Sequence, residues 1–109
     1  MEQRLSTKED YLKRVNIVIE YINNHLDEDI DLENLAELSN FSKWHFQRMM
    51  KAYLGEPIGI YIIRVRVETA AKLLRYSKMP VSEIAYQVGY NMPSSLSKVF
   101  RLFYRISPS

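Results

Sequence analysis

The sequence of 109 residues predicts an all-α fold on the basis of three observations. Apolar residues recur every three or four positions along most of the chain, which is the period of an amphipathic helix. The four prolines and three glycines fall at or near the ends of the predicted helices. A segment of about 25 residues also occurs twice, roughly 50 positions apart, which indicates a duplicated structural unit.

The first two helices are predicted from their caps and their apolar spacing. A helix is expected from about residue 7 to 25, where Ser6 and Glu9 form a capping-box pattern. Its apolar residues lie at helical spacing: Leu12, Val15, Ile19, Ile22 and Leu26. After an acidic turn, Asp31 is the expected N-cap of a short helix that ends near Leu38.

Four further helices follow by the same reasoning. Ser42 is the expected N-cap of the third helix, and Gly55 is expected to end it with a positive φ angle. A long helix is expected over residues 58–77, a short one over 80–88 that Gly89 stops, and a last one after the YNMP stretch. Stretches such as NIVIEYI and IIRVRV would also suit strands, but no hairpin signal flanks them.

The duplicated unit comprises residues 35–59 and residues 84–109, which align with an offset of 49 at first and of 50 after one inserted residue. The matched pairs are Ala36 with Ala85, Phe41 with Tyr90, Phe46 with Leu96, Met49 with Val99, Met50 with Phe100 and Tyr53 with Phe103. Each copy is a short helix, a tight turn and a longer helix, which is a helix-turn-helix motif. We therefore expect a first helix-turn-helix subdomain over 1–57, a linker helix over 58–77 and a second helix-turn-helix subdomain over 78–109.

The charge is divided unevenly along the chain. Residues 1–40 carry ten acidic and four basic side chains, a balance of −6, whereas residues 41–109 carry three acidic and eleven basic ones, a balance of +8. A basic face attracts polyanions, and nucleic acid is the first candidate. The chain has no cysteine and no apolar run near the ~20 residues that cross a bilayer. We expect a globular cytoplasmic protein with no membrane partner.

The longer helix of each copy carries a polar, cationic stripe beside its apolar face. The two stripes are Trp44, Gln47, Arg48 and Lys51 in the first copy and Ser94, Ser97, Lys98 and Arg101 in the second. A solvated helix surface would explain either stripe alone, and simple partial burial would explain Trp44. However, the second helix of a helix-turn-helix enters the major groove, where arginine suits guanine and glutamine suits adenine. The repeated stripe therefore predicts a DNA-binding face.

Three stretches resemble the DNA-binding domain of the AraC/XylS family of bacterial transcription activators: YIIRVRVETAAKLL, VSEIAYQVGY, and SSLSKVFR followed by SP. SKWHFQRMMK is especially similar to the first recognition helix of the MarA, SoxS and Rob subgroup. The resemblance implies a sequence-specific transcription regulator, and specifically an activator, that inserts two recognition helices into successive major grooves of double-stranded DNA. We expect DNA contacts from Lys43, Trp44, Gln47, Arg48, Lys51, Pro93, Ser94, Ser95, Ser97, Lys98 and Arg101. RNA polymerase is the expected protein partner, and an effector ligand is expected only if the intact protein has a separate domain.

The chain departs from the family pattern in its second half. Serines stand in the second recognition helix where the MarA-like relatives have longer polar residues, which favours phosphate contacts by Lys98 and Arg101 over base contacts there. Arg105 stands where the family, and Gly55 in the first copy, have the glycine that ends the helix. A left-handed cap at an arginine costs about 1 kcal/mol relative to glycine. The sequence stops at Ser109, before a further family segment, which suggests a truncated second subdomain.

The predicted linker helix has a length that suits two grooves. About twenty residues at ~1.5 Å each span ~30 Å. Successive major-groove faces on one side of B-DNA lie ~34 Å apart. A single chain with such a linker is therefore expected to contact both grooves of an asymmetric site without a two-fold partner.

No catalytic site, metal site or cofactor is expected. His25 and His45 are the only histidines, and no carboxylate is placed to complete a metal or catalytic constellation with them. No glycine-rich phosphate loop is present. The alternative function is a helical protein-interaction module that would bind a protein through its acidic face: Asp27, Glu28, Asp29, Asp31 and Glu33.

Overall fold

A computed structural model describes residues 7–106 and residue 108. The described chain forms six helices: α1 (Thr7–Asn24), α2 (Leu32–Ser39), α3 (Lys43–Leu54), α4 (Ile58–Tyr76), α5 (Val81–Gln87) and α6 (Pro93–Tyr104). The predicted all-α class is confirmed, since this part of the chain contains no strand. None of its helices is long and apolar enough to cross a bilayer.

Local capping chemistry sets several helix ends, as the sequence predicts. The Asp31 carboxylate accepts a hydrogen bond from the Glu33 backbone N–H at 2.9 Å, and the Ser42 hydroxyl accepts one from the His45 N–H at 3.2 Å. Gly55 ends α3 with φ at 77°, which confirms the predicted left-handed cap. The predicted capping box at the start of α1 involves Ser6, which lies outside the described residues.

The helices belong to two compact units. Of the described residues, the first contains 7–24 and 30–58, and the second contains 25–29, 59–106 and 108. The core of the first unit is formed by side chains from α1, α2 and α3 and from the turn before α3: Val15, Val18, Ile22, Leu35, Ala36, Phe41, Phe46 and Met50. The core of the second unit is formed by Val67, Ala70, Ile84, Ala85, Val88, Leu96 and Phe100.

The buried face of α1 differs from the predicted apolar stripe by a small rotation. Val18 is fully buried, whereas Leu12, which the stripe includes, is 44% exposed. Both residues are three positions from Val15, so they lie on opposite sides of it around the helix. The helix is turned toward Val18, and spacing alone does not distinguish the two sides.

The turn between the two helices of each helix-turn-helix depends on one left-handed residue. Asn40 has φ at 61° in the first unit, and Gly89, its counterpart in the repeat, has φ at 98° in the second. In both turns the next residue donates its backbone N–H to an alanine carbonyl five positions earlier, at 3.2 Å for Phe41 and 2.8 Å for Tyr90. The sequence repeat is therefore also a repeat of backbone geometry.

Only the second unit requires glycine in this turn. A Cβ atom on Gly89 would overlap the carbonyl oxygen of Leu26 and lie 3.0 Å from Cζ of Arg66. Leu26 belongs to the short segment 25–29 that packs within the second unit. Asn40 occupies the equivalent place in the first unit with a side chain, so the left-handed angle alone does not select glycine.

Arg66 holds the segment 25–29 in place. Its Nη2 donates a hydrogen bond to the Glu28 carbonyl oxygen at 2.9 Å, and its guanidinium lies 5.7 Å from the Tyr90 ring centroid. Burial raises the pKa of the Tyr90 hydroxyl above its ordinary value of 10.0, and the charge of Arg66 opposes that rise. The tyrosine is therefore neutral at physiological pH, and its contact with Arg66 is that of a ring with a cation.

The end of α6 carries the strain that its sequence predicts. Arg105 has φ at 60°, and its backbone N–H bonds to the Arg101 carbonyl at 2.7 Å. Gly55 ends α3 with the same bond to Lys51, at 2.9 Å. The arginine therefore adopts the glycine-type cap, at a cost of about 1 kcal/mol.

Alanine substitution of the three glycines should give three different changes in the free energy of unfolding. Gly59→Ala, in a helix with open space around the new methyl group, should leave it unchanged or raise it by up to about 1 kcal/mol. Gly55→Ala meets open space but a positive φ, and should lower it by about 1 kcal/mol. Gly89→Ala meets both a positive φ and the Leu26 carbonyl, and should lower it most.

Urea and thermal unfolding of the three variants would measure this order. Equal losses for Gly55→Ala and Gly89→Ala would contradict the close approach of the chain at Gly89.

Candidate nucleic-acid interface

The second helix of each motif, α3 and α6, buries the same positions. Phe46 and Met50 are buried in α3, as are their counterparts Leu96 and Phe100 in α6. The other two predicted apolar positions of each helix are half-buried: Met49, Tyr53, Val99 and Phe103. The sequence prediction of two equivalent apolar faces is confirmed, and it leaves the polar stripe of each helix on the outside.

The stripe of α3 is exposed along its whole length. Trp44, Gln47, Arg48 and Lys51 are all exposed, and Trp44 shows 67% of its surface to solvent. Partial burial in the core therefore does not explain the presence of a tryptophan at position 44. The Arg48 guanidinium carbon lies 4.7 Å from the centroid of the Trp44 ring, in a cation–π contact that spacing alone does not reveal.

Lys43 differs from the rest of the predicted site because it has an acidic partner. Its Nζ lies 3.3 Å from Oε1 of Glu33, a residue of α2, and both side chains are largely exposed. Such an exposed pair contributes at most about 1 kcal/mol and is easily exchanged for another anion. In contrast, the four stripe cations have no carboxylate partner within the described part of the chain: Arg48, Lys51, Lys98 and Arg101.

Two of the four side chains in the α6 stripe are short serines. Pro93, Ser94, Lys98 and Arg101 are exposed, whereas Ser95 and Ser97 are half-buried. The stripe borders a shallow hollow lined by Ser94, Ser97, Lys98, Arg101 and Leu102. Leu102, which is 72% exposed, is a further candidate for the interface that the sequence patterns do not predict. The alignment of the two copies places Leu102 opposite the much smaller Ala52 of α3. This difference shows an additional apolar side chain at that position of α6.

His45 packs within the first unit. Its ring centroid lies 4.7 Å from that of Phe41 and 5.7 Å from that of Tyr11, and Arg14 lies 4.7 Å from the Phe41 centroid on the same cluster. These contacts fix the first turn of α3 against α1. Among the described residues, no three acidic, histidine or cysteine side chains come together as a metal site would need.

The two recognition helices begin differently. Ser42 caps α3 with its hydroxyl, whereas its counterpart Met92 precedes α6 in an extended conformation and makes no side-chain cap. Pro93 occupies the first turn of α6, where its missing N–H costs no hydrogen bond. The Ser95 N–H donates to the Met92 carbonyl at 3.1 Å, so main-chain bonds alone hold the start of α6, whereas a side-chain cap also holds the start of α3.

The chain is similar to known helix-turn-helix proteins. A model described as a helix-turn-helix domain matches residues 35–109. The regulatory protein SoxS of Salmonella typhimurium is 34% identical over 95 residues, which cover 87% of this chain and 89% of SoxS. The transcriptional activator AarP of Providencia stuartii is 33% identical over 95 residues, which cover 87% of this chain and 70% of AarP.

Other similar proteins extend the comparison to a longer regulator and to a solved structure. A helix-turn-helix-type transcriptional regulator of Haemophilus influenzae is 36% identical over 89% of this chain, which spans only 33% of that protein's length. The DNA-binding domain of the global transcriptional factor AdpA, solved in complex with a target DNA, superposes with a TM-score of 0.83 at 30% identity. That match covers 87% of this chain and 86% of the AdpA chain.

Exchanging the residues at the two N-cap positions should move stability in opposite directions. Met92→Ser supplies a hydroxyl where the backbone is already extended, and should raise the free energy of unfolding by about 1 kcal/mol. Ser42→Met removes the bond to the His45 N–H and should lower it by a similar amount. Chemical denaturation of both variants measures the pair, and a loss of stability in Met92→Ser would refute the equivalence of the two positions.

Proposed function

Because the chain belongs to the AraC/XylS family of DNA-binding transcription regulators, we propose that it binds double-stranded DNA sequence-specifically through α3 and α6 and activates transcription. One observation carries the proposal: a stripe of polar and cationic side chains occurs twice, on the second helix of each helix-turn-helix, at equivalent positions, and all of its members are exposed except the half-buried Ser97. Cations without a carboxylate partner are available for phosphates, and an exposed helix face fits the major groove.

In the first unit, α3 supplies the base contacts. Arg48 offers two parallel N–H donors that match guanine O6 and N7, and Gln47 offers a donor and an acceptor that match adenine N6 and N7. Trp44 lies at the start of the stripe, where its ring can contact sugars or a thymine methyl group. Lys43 lies at the start of α3 and Lys51 in its last turn, and both contact phosphates. To do so, Lys43 exchanges Glu33 for a phosphate oxygen.

In the second unit, α6 supplies mainly affinity. Lys98 and Arg101 bind phosphates, because the serines of this stripe are too short to carry several base contacts from the helix surface. The short side chains at the start of α6 contact the nearest edge of the major groove: Pro93, Ser94, Ser95 and Ser97. Specificity at this half of the site therefore depends more on DNA shape than on base hydrogen bonds.

We further propose that residues 1–57 contact one major groove and residues 78–109 contact the next. Residues 58–77 connect the two regions, and α4, which comprises 19 of them, also contributes Val67 and Ala70 to the core of the second unit. At ~1.5 Å per residue such a helix is about 28 Å long, comparable to the ~34 Å between successive groove faces. The site is then asymmetric and is bound by one chain.

The alternative function is protein binding through the acidic face formed by Asp27, Glu28, Asp29, Asp31 and Glu33, and it lacks a feature that selects a partner. In contrast, AarP is named a transcriptional activator and AdpA a global transcriptional factor, and SoxS is named a regulatory protein. Contact with RNA polymerase follows from the proposed role as an activator. DNA binding predicts a steep fall of DNA affinity with rising salt, whereas the alternative predicts no salt-dependent DNA affinity.

Alanine substitutions in the two stripes should separate base contacts from phosphate contacts. Arg48→Ala should weaken binding to a matched site by about 1–3 kcal/mol and leave binding to a scrambled site almost unchanged. Lys98→Ala should weaken both sites equally and reduce the slope of log affinity against log salt by about one unit. Titrations of both DNAs at several salt concentrations measure these effects. Equal losses on both DNAs for Arg48→Ala would exclude its role in base recognition.

Changing the spacing within the DNA site tests the two-groove arrangement without altering the protein. Footprinting should show two protected blocks about one helical turn apart, with one chain per site by mass. Inserting about 5 base pairs between the blocks turns the second block to the opposite side of the duplex, and should reduce binding to that of one block alone. Replacing the same number of intervening base pairs is the control. A palindromic footprint occupied only by two chains would contradict the arrangement.

A further inference from the structure

We propose that Trp44 is a positioning residue for Arg48: its ring holds the guanidinium in the conformation that recognises guanine before DNA is bound. The inference rests on the proposed function. It gives Trp44 a second role, the positioning of Arg48, in addition to its direct contact with DNA. It predicts that most of the contribution of Trp44 to sequence discrimination requires Arg48.

The geometry of α3 makes this contact a property of the free protein. Trp44 and Arg48 are four positions apart, so they share one face of the helix. Helical side chains lean toward the N-terminus, which directs Arg48 back over the ring of Trp44. The observed distance of 4.7 Å from the guanidinium carbon to the ring centroid lies well inside the ~6 Å range of a cation–π contact.

The ring restrains the arginine without using its hydrogen-bonding groups. A guanidinium contacts an aromatic ring through its face, whereas its N–H donors point outward in its own plane. Two of those donors can therefore bond guanine O6 and N7 while the contact persists. A carboxylate partner would occupy the same donors, as Glu33 does for Lys43. Within the described chain Arg48 has no such partner.

The second unit provides an internal comparison. The counterparts of Trp44 and Arg48 are Ser94 and Lys98, which have neither an aromatic ring nor a planar cation. A lysine at that position keeps its rotational freedom, which suits a phosphate contact and not a bidentate contact with one base. The restrained arginine is therefore specific to the first unit, where base recognition is proposed.

Trp44 is the single tryptophan of the chain, so its fluorescence reports the contact directly. In the absence of DNA, Arg48→Ala should change the emission of Trp44. Lys51→Ala, which removes a cation of the same stripe one turn further along, should not. Arg48→Lys keeps a cation that can also lie over the ring but lacks the planar face, so its emission should fall between those of the wild type and Arg48→Ala. Emission that is the same in all four proteins would overturn the inference.

A double-mutant cycle then measures the consequence for DNA binding. Trp44→Ala should lower the preference for the matched site over a site changed at the base pair assigned to Arg48, by about two- to fivefold, the range of an exposed cation–π contact. The same substitution in an Arg48→Ala background should change that preference by less than about 1.5-fold. Trp44→Tyr, which restores a ring, should recover most of the preference of the wild type.

The outcomes separate this inference from the proposed function. If the wild type discriminates between the two sites but Trp44→Ala has the same effect with and without Arg48, the ring acts on DNA by itself and the positioning role is excluded. If the wild type shows no preference between matched and scrambled DNA, the proposed sequence-specific function fails, while the fluorescence result on the free protein still tests the contact between the two side chains.

Discussion

The direction of each recognition helix depends on a single left-handed residue in the turn before it. Asn40 in the first unit and Gly89 in the second reverse the chain there, and the following residue bonds to an alanine carbonyl of the preceding helix. That geometry determines which face of α3 or α6 meets the core and hence which face remains outside. The outward stripes, and with them any role in binding DNA, are consequences of a few backbone angles.

The same backbone arrangement supports two chemically different surfaces. In α3 it presents a ring, an amide and an arginine, and in α6 it presents serines with two cations. A repeated backbone with unequal side chains allows one unit to supply discrimination and the other affinity. This difference is consistent with a target of which only part needs a strict sequence, since phosphate contacts carry no sequence information of their own.

Much of the fold follows from short-range signals, and for that reason the sequence predicts it well. Asp31, Ser42 and Gly55 act on their own helix ends, so their roles are visible within a few residues. The burial of Val18 in place of Leu12 and the packing of segment 25–29 against Gly89 depend on elements distant in the sequence. At the candidate site the exposed stripes are predictable from the repeat. The contact of Arg48 with Trp44 requires side-chain conformations that no spacing specifies.

The segment 25–29 has a further implication for exchanging parts between related regulators. It lies between two helices of the first unit, yet it packs with the second, where main-chain carbonyls of Leu26 and Glu28 meet Gly89 and Arg66. Since every residue has a carbonyl, these two contacts depend on the number of residues in the segment, whereas the buried side chain of Leu26 also restricts the amino acid at that position. A chimera that joins the first half of one regulator to the second half of another must therefore match the length of this loop, and a sequence alignment that permits a gap there would conceal the incompatibility.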